Sequence, residues 1–549
     1  MNNVTNNLIL QYKSGEIMDR RRGASGVTVN ARDTKPLAIV PEPEPGKHPW
    51  DQSHELLRKD KELIFVEPEV NTLAENFANY WEAEVLNTGA KENISHYTFL
   101  KDWPHPEKPS GWYLEDGFSQ LKPARDEVKK LALKHKVRIA HLDTGYDPGH
   151  ISFPAQVVNL QLQRNFVEGE EAGDARDTFS TGPVKAPGHG VGTLSILAGG
   201  KVKIDECGFD DYLGLHDLVE IVPIRIAKSV VLFKSAAFVK AMDYIVNELN
   251  AKDETRVHII SMSMGGVASK TWADMVNLAY KKGIFMVTAA GNNFGRLTPR
   301  RVVYPARFER VVAACGVTYD YSPYVKPLLE GGPLVMQGNY GPSHLMENAI
   351  AAFTPNVFWA KYNHPQVVGI QGNGTSAATP QIAAAAALYY IKHYEALEAL
   401  QEPWMRVEAI KKALFSKAGK RIAGAYGKDD WKKYFGNGVL QAKDMLTYPV
   451  AKPDDLEIAR EAEVKFPLLK VLTGWRKRAE PGQEEDKMYA TELSQLLMSD
   501  TILQEILNDE ETEVTDMSKE QKRKFIERVL DMPQASDALK EQLRNVNQF

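Results

Sequence analysis

Three short glycine-containing segments carry the residue types that acyl transfer requires. Asp143 ends an apolar run and precedes a threonine and a glycine, His189 lies between two glycines, and Ser376 begins an alanine-rich stretch. A serine hydroxyl becomes a nucleophile when a histidine accepts its proton and a carboxylate orients that histidine. The three residues are far apart in the sequence, so this chemistry requires a fold that brings them together.

Each segment alone also has an ordinary structural interpretation. An Asp at a strand end commonly caps a turn or a helix. Ser376 falls at a predicted helix N-terminus, where it either caps the helix or gains from free N–H groups that favour a developing negative charge. Gly188, Gly190 and Gly192 resemble a phosphate-binding loop, but the third glycine is one position early for that motif and no strand precedes it. Only the combination of the three segments points to catalysis.

The hydrophobic pattern between residues 137 and 391 predicts the scaffold that positions these residues. Short runs rich in Val and Ile alternate with segments of helical period, which indicates an α/β fold with a buried parallel sheet and helices on both faces. Strands are predicted at residues 137–140, 221–224, 257–260, 284–287 and 311–314, and helices at 234–249 and 271–281. Functional groups gather at the carboxyl ends of parallel strands, where Asp143 lies.

Taken in chain order, the three segments resemble the signature blocks of the subtilisin-like serine proteases, or subtilases. The matching residues are Asp143-Thr144-Gly145, Gly188-His189-Gly190 and Gly374-Thr375-Ser376-Ala377-Ala378-Thr379-Pro380. The resemblance covers roughly residues 120 to 445. It implies a three-layer α/β fold and a serine endopeptidase that forms an acyl-enzyme intermediate, with Asp143, His189 and Ser376 as the catalytic triad.

Further segments resemble the parts of this family that bind substrate. The resemblance assigns Asn292 to stabilise the oxyanion beside the Ser376 N–H, although Asn292-Asn293 alone is an ordinary turn. A strand that pairs with extended peptide, and the border of the P1 pocket, are implied at Ser263, Met264, Gly265, Ala290, Gly291, Val303 and Tyr304. Val303 stands where many members have glycine, so we expect a narrowed pocket and a preference for small P1 residues.

The sequence also departs from the family pattern. Gly192 replaces the second histidine that usually follows the catalytic one, and Gln381 stands where a histidine is common. The usual calcium loop is not recognisable, although an insertion carries four acidic residues that are either solvated or able to bind calcium, namely Asp205, Glu206, Asp210 and Asp211. No metal site and no cofactor is therefore expected, with calcium left open.

Composition restricts the partners and the compartment. The 549 residues carry 67 Lys+Arg and 72 Asp+Glu, for a net charge of −5, which gives no case for nucleic acid as a partner. The longest apolar segment is about half of the roughly twenty residues that a bilayer span needs, and the apolar stretch near the N-terminus is too short for a signal peptide. With only Cys207 and Cys315, and Cys315 in an apolar run, we expect a cytoplasmic protein.

Two flanking regions surround the predicted peptidase domain at residues 121–450. Residues 1–120 contain a proline-rich break at 40–46, a helix at 50–59 and an apolar run at 63–66. Residues 50–69 resemble a degenerate inhibitory pro-segment, with an accessory domain or a plain extension as alternatives. Residues 451–549 form an acidic tail with helices at 492–507 and 519–532 and a linker at 481–486, which is either a solvated cap or a docking surface for a regulatory protein.

Alternative functions stay open at this point. A catalytically silent module on the same fold would bind peptides without cleaving them. An esterase or transacylase would use the same triad, because the triad does not itself select amides over esters. Retention of all four catalytic residues together favours a regulated intracellular serine endopeptidase with a polypeptide substrate.

Overall fold

The computed structural model describes most of the chain. The described residues are 4–13, 27–29, 37–41, 44, 46–70, 96–131, 135–178, 188–229, 234–294, 300–326, 335–464, 483–507 and 517–546. Part of the predicted linker at 481–486 lies outside them. Among the described residues, no helix combines the length and the apolar character that crossing a bilayer would need.

An antiparallel sheet and one helix form the N-terminal unit. Its elements are β1 (Val4–Tyr12), β2 (Val27–Val29), β3 (Leu37–Pro41), α1 (Pro49–Lys59) and β4 (Leu63–Val70), with strand order β2-β3-β1-β4. The helix is where the sequence predicts it. The strand is longer than the predicted apolar run, because β4 continues through Pro68 at the edge of the sheet, where a missing N–H is tolerated. The proline-rich break also proved shorter, since β3 extends to Pro41.

The middle of the chain forms a seven-stranded sheet whose neighbouring strands are all parallel. Its order is β15-β13-β11-β10-β5-β9-β6. The strands of this region are β5 (Val137–Asp143), β6 (Arg164–Asn165), β7 (Lys201–Ile204), β8 (Phe209–Tyr212), β9 (Val219–Arg225), β10 (Ile259–Met262), β11 (Phe285–Ala289), β12 (Asn292–Asn293), β13 (Val312–Val317), β14 (Gln337–Gly338), β15 (Ala349–Phe353), β16 (Val357–Ala360) and β17 (Val368–Gly372). In the seven-stranded sheet the five predicted strands are present, whereas β6 and β15 were not predicted.

Helices cover both faces of this sheet. They are α2 (Leu121–Val128), α3 (His189–Ala198), α4 (Ser235–Asp243), α5 (Lys270–Lys281), α6 (Thr375–Lys392), α7 (Tyr394–Glu398), α8 (Pro403–Ser416), α9 (Trp431–Phe435) and α10 (Ala442–Leu446). Alternate strand residues enter opposite cores: Ile139 packs with α6, whereas Ala140 packs with α4 and α5. This is the period-2 alternation of a sheet buried on both sides, and the predicted three-layer α/β fold is confirmed.

Four C-terminal helices form a small core of their own. They are α11 (Gln483–Ser499), α12 (Thr501–Ile506), α13 (Lys519–Asp531) and α14 (Asp537–Val546), referred to below as the C-terminal helical unit. The prediction of a linker up to Asp486 was wrong, because α11 already begins at Gln483. The unit also contacts the N-terminal unit, since Met488 of α11 is buried among side chains of β1, α1 and β4.

Candidate active site

Asp143 and His189 form a buried hydrogen-bonded pair. Asp143 is the last residue of β5, which lies between β10 and β9 in the sheet. The Asp143 side chain is fully buried. His189 is the first residue of α3, and its Nδ1 lies 2.7 Å from Asp143 Oδ1. Burial opposes the charge on Asp143, but the His189 ring and the Thr144 N–H outweigh it and lower the pKa of the carboxyl.

A glycine makes this close approach possible. A Cβ on Gly190 would lie 2.2 Å from the Gly145 carbonyl oxygen, so any side chain would push the start of α3 away from the end of β5. The Gly190 N–H donates to Thr144 Oγ1 at 3.0 Å, which joins the two backbone segments directly. The contact therefore sets the position of His189 relative to Asp143.

Ser376 is the second residue of α6, where backbone N–H groups have no partner within the helix. Its Oγ donates to the Ser263 carbonyl at 3.1 Å, and Ser263 Oγ donates to the Ser376 carbonyl at 3.0 Å. That carbonyl is free because Pro380, four residues later, has no N–H to donate to it. In the part of the chain that the structure describes, no hydrogen bond joins Ser376 Oγ to the His189 ring. The Ser376 hydroxyl is therefore directed to the Ser263 carbonyl.

Asn292 is held against the start of α6. Its Oδ1 accepts hydrogen bonds from Thr375 N at 2.9 Å and from Thr375 Oγ1 at 3.2 Å. Its Nδ2 lies against Gly374, because a Cβ on that glycine would be 3.0 Å from the nitrogen. The residue before Ser376 thus engages Oδ1, and the Asn292 amide nitrogen lies on the side of Gly374.

The predicted substrate-binding residues come together through backbone hydrogen bonds. Val303 N donates to the Ala290 carbonyl at 2.9 Å, and Tyr304 and Gly266 exchange two bonds of 3.0 and 2.7 Å. Val303 fills the space between the two glycine segments: a Cβ on Gly265 would lie 2.2 Å from Val303 Cγ2, and one on Gly291 would lie 2.9 Å from Cγ1. Met264 and Tyr304 are buried, and the Tyr304–Pro305 peptide bond is cis.

The comparison with known families decides the identity of this arrangement. The model of the subtilase family matches residues 134–438, more than half of the chain. The chain belongs to the subtilase family. It is therefore a hydrolase, a serine endopeptidase, as the resemblance implied.

Relatives of this subtilase are similar over different lengths. The major intracellular serine protease of Bacillus subtilis is 26% identical over 321 residues, which cover 57% of this chain and 86% of the relative. Subtilisin E of Bacillus subtilis is 23% identical over 266 residues, covering 47% of this chain and 56% of the relative. The thermostable alkaline protease of Halalkalibacterium halodurans is 35% identical over 133 residues, covering 24% and 31%.

Two polar residues that were not predicted from the sequence, His141 and Thr193, lie behind the Asp–His pair of this subtilase. Thr193 Oγ1 lies 3.0 Å from Asp143 Oδ2 and 2.8 Å from His141 Nε2, and all three side chains are buried. Spacing gives a signal for both residues. His141 is two positions before Asp143 on a strand, and Thr193 is four positions after His189 on a helix, so each shares a face with a predicted catalytic residue.

The departures from the family pattern have structural reasons. A Cβ on Gly192 would lie 1.9 Å from the Trp359 indole, so that indole occupies the space of any side chain at this position. The same indole meets the His189 ring edge-on at 5.6 Å between centroids. Gln381 Nε2 donates to the Phe353 carbonyl at 2.8 Å, which ties α6 to β15.

The acidic insertion of this subtilase forms the hairpin of β7 and β8 together with the turn between them. Its carboxylates take cationic partners: Asp210 lies 3.0 Å from Lys201, Asp205 lies 2.7 Å from Lys203, and Asp211 binds Arg125 and Lys122. Within the described residues no group of three or more His, Cys, Asp and Glu side chains is arranged to hold a metal ion. The expectation of no metal site, with calcium left open, stays a prediction. Cys315, which lies in an apolar run of the sequence, is buried in the structure. Burial raises the pKa of its thiol.

Proposed function

We propose that this subtilase hydrolyses peptide bonds through Asp143, His189 and Ser376, with Asn292 as an oxyanion donor. The observations that carry this proposal are two hydrogen-bonded pairs, one that includes the base and one next to Ser376 in the chain. The Asp143–His189 hydrogen bond of 2.7 Å supplies an oriented base, and Asn292, bound to Thr375, supplies a donor beside the nucleophile. An ordinary helix cap would not require either group.

The chemistry follows from these positions. Ser376 Oγ leaves the Ser263 carbonyl, gives its proton to His189 Nε2 and attacks the peptide carbonyl carbon. Asp143 accepts from Nδ1, which keeps the other ring nitrogen free as a base and stabilises the imidazolium that forms. The oxyanion receives hydrogen bonds from the Asn292 amide and the Ser376 N–H at the positive end of α6. His189 then protonates the leaving amine, and water hydrolyses the acyl-enzyme by the reverse sequence.

The proposed substrate is an extended polypeptide with a small P1 side chain. The segment Ser263-Met264-Gly265 presents backbone groups for β-augmentation, in which main-chain bonds supply affinity and pockets supply specificity. Val303 methyl groups stand between Gly265 and Gly291, in the space that a large P1 side chain would need. Small P1 residues fit without displacing a packed side chain.

The N-terminal unit is proposed to inhibit the enzyme as a pro-segment. Glu67 of β4 accepts hydrogen bonds from Ser269, Lys270 and Thr271 at the start of α5, and Gln11 of β1 donates to Asp274 at 2.7 Å. The unit thus packs on the helix that follows the substrate strand. Val70, at the end of β4, packs with Val267 and Val303 at the pocket wall, which supports occlusion of the cleft.

The cytoplasm is the proposed compartment. One relative is named an intracellular protease, and both cysteines of this chain, Cys207 and Cys315, are free. Nucleic acid and membrane partners are not proposed, and no cofactor is needed for the steps above.

Labelling with a fluorophosphonate probe tests the proposed activity. We expect the wild-type chain to be labelled and to cleave peptides, and Ser376→Ala to do neither. Peptide esters are assayed beside peptide amides, and hydrolysis of the esters alone would identify the protein as an esterase. A chain that is never labelled, even when Glu67→Ala weakens the docking of the N-terminal unit, would instead be a silent peptide-binding module, a state consistent with the Ser376–Ser263 hydrogen bond.

A further inference from the structure

The carboxylate of Asp143 has a hydrogen-bonded support on the side away from His189. Oδ1 is used by His189 Nδ1 and by the Thr144 N–H, each at 2.7 Å. Oδ2 faces Thr193 Oγ1 at 3.0 Å, and the other side of that hydroxyl faces His141 Nε2 at 2.8 Å. The support therefore has the order His141, Thr193, Asp143, and all three side chains are excluded from solvent.

The number of available N–H and O–H donors decides which group donates in each of these hydrogen bonds. Burial lowers the pKa of His141 despite the nearby Asp143 charge, with His189 acting in the same direction as burial, so the ring is neutral near pH 7 with one N–H. Thr193 has one hydroxyl hydrogen, and the ionised carboxylate needs a donor. Thr193 therefore donates to Asp143 and accepts from His141, which places the ring proton on Nε2.

We propose that His141 and Thr193 are positioning residues for catalysis, an inference that rests on the proposed triad function. Rotation of the Asp143 carboxylate would take Oδ1 away from His189 Nδ1, and the bond from Thr193 to Oδ2 opposes that rotation. The bond from His141 in turn keeps the Thr193 hydroxyl from turning to the His189 and Gly190 carbonyls, each 3.3 Å away. The orientation of the catalytic base thus depends on two residues that never touch substrate.

Isosteric removal of the hydroxyl tests this inference in the full chain. Thr193→Val keeps the volume, and we expect kcat to fall by about 10- to 100-fold with little change in KM, since a lost hydrogen bond to a buried charge is typically worth that factor. Thr193→Ser keeps the hydroxyl and should recover most of the rate. Thr288→Val, at a buried threonine whose hydroxyl has no partner within the described residues, is the matched control and should keep wild-type kcat.

The histidine is tested separately, so the inference does not depend on the folding of one variant. His141→Leu should lower kcat in the same range, while His141→Gln, whose amide can donate to Thr193, should retain more activity. The proton resonance of His189 Nδ1 in the wild type should shift in Thr193→Val and not in Thr288→Val. Wild-type kcat and an unshifted resonance in Thr193→Val would overturn the positioning role. Loss of the triad function itself would be recognised by activity that survives in Ser376→Ala.

A different set of contacts concerns the C-terminal helical unit. Gln495 of α11 bridges two parts of the chain: its Oε1 accepts from Trp50 Nε1 at 3.1 Å, and its Nε2 donates to the Ala268 carbonyl at 2.9 Å. Met488 is fully buried in the N-terminal core, and Met498 packs with Val70 and Val303. Further contacts join the two units at His48 and Gln534, at His54 and Arg58 with Glu485, and at Asp51 with the first N–H groups of α14.

From these contacts we infer that the C-terminal helical unit is a clasp that retains the N-terminal unit on the peptidase domain. The partner of the acidic tail is then a part of the same chain. The N-terminal unit lies between α5 on one side and α11 on the other, so it cannot leave the peptidase domain by breaking the α5 contacts alone. This arrangement keeps the proposed active site covered until the N-terminal unit loses its contacts with both α5 and α11.

Hydrogen–deuterium exchange of the full chain tests the clasp without reference to catalysis. Met488→Asp places a carboxyl group in the N-terminal core, and Gln495→Ala removes both bridging bonds while leaving that core intact. In each variant we expect amide exchange in β1 and β4 to rise at least about tenfold, with exchange in the central sheet unchanged. Met488→Leu is the control and should exchange like the wild type. Unchanged exchange of β1 and β4 in Gln495→Ala and Met488→Asp would overturn the inference.

Discussion

Replacement of Glu67 tests the proposal that the N-terminal unit covers the active site. The Glu67 side chain is 1% exposed and receives four hydrogen bonds at the start of α5, two from backbone N–H groups and two from the hydroxyls of Ser269 and Thr271. At about 1 kcal/mol net for each bond, Glu67→Ala weakens docking by about 4 kcal/mol, or about 10³-fold. The fraction of molecules with an open cleft should rise by the same factor until it saturates.

The rate at which a fluorophosphonate labels Ser376 reports that open fraction. We expect Glu67→Ala to be labelled up to about 10³-fold faster than wild type and Glu67→Gln, which keeps one carbonyl acceptor, to be intermediate. Glu62→Ala, in the exposed turn before β4, is the control and should behave as wild type. A Glu67→Ala rate within a factor of about two of wild type would refute the reasoning, because it would mean that docking through Glu67 does not limit access to Ser376.

Four further predictions concern the site and the tail. Asn292→Ala should lower kcat by about 10²- to 10³-fold and Ser376→Ala by about 10⁶-fold, the losses measured in subtilisin itself; wild-type-like peptide hydrolysis in both would contradict the assignment. Val303→Gly should raise kcat/KM for P1 Phe relative to P1 Ala by about 10- to 200-fold in a matched peptide series, and an unchanged ratio would mean that Val303 does not limit the pocket. Gly192→Ala should cost about 1 to 3 kcal/mol of unfolding free energy through its clash with Trp359; calorimetry that shows wild-type stability would contradict this. Burial raises the pKa of Glu492 to about 8, above its ordinary value of 4.5, so the folded state binds a proton that the unfolded state releases. The unfolding free energy of the C-terminal helical unit should therefore be highest below about pH 4.5 and fall by about 1.4 kcal/mol per pH unit up to about pH 8; Glu492→Gln should flatten this slope in melting experiments, and a slope that persists would exclude Glu492 as its cause.

Motif and spacing were sufficient to predict residues that the structure brings together in two places. Asp143 and His189 are hydrogen-bonded, and Asn292 lies at the start of the helix that carries Ser376. The sequence did not reveal the orientation of the Ser376 hydroxyl, because that depends on a carbonyl of the distant residue Ser263. It also did not explain Gly192, since the indole that fills the adjacent space lies far away in the chain.

In the N- and C-terminal regions the local elements were predictable from the sequence, but the contacts between the regions were not. The helix at α1 and the apolar run in β4 were predictable from local patterns, and so were the amphipathic helices of the tail. Their association was not predictable, because an amphipathic face indicates that a helix packs against another element but does not identify that element. Met488 illustrates the difference: its sequence neighbours place it on a helix, but only the fold places it in the N-terminal core.

The sequence by itself determined the α/β class, the alternation of the central strands and helices and the residues proposed to react. These features depend on local hydrophobic period and on short motifs, which act over a few residues. Tertiary structure alone decided that His141 and Thr193 support Asp143, that Val303 fills the space between two glycine segments and that the tail covers the N-terminal unit. Each of these contacts joins residues distant in the chain, so it depends on how whole elements pack and not on the pattern within any one of them.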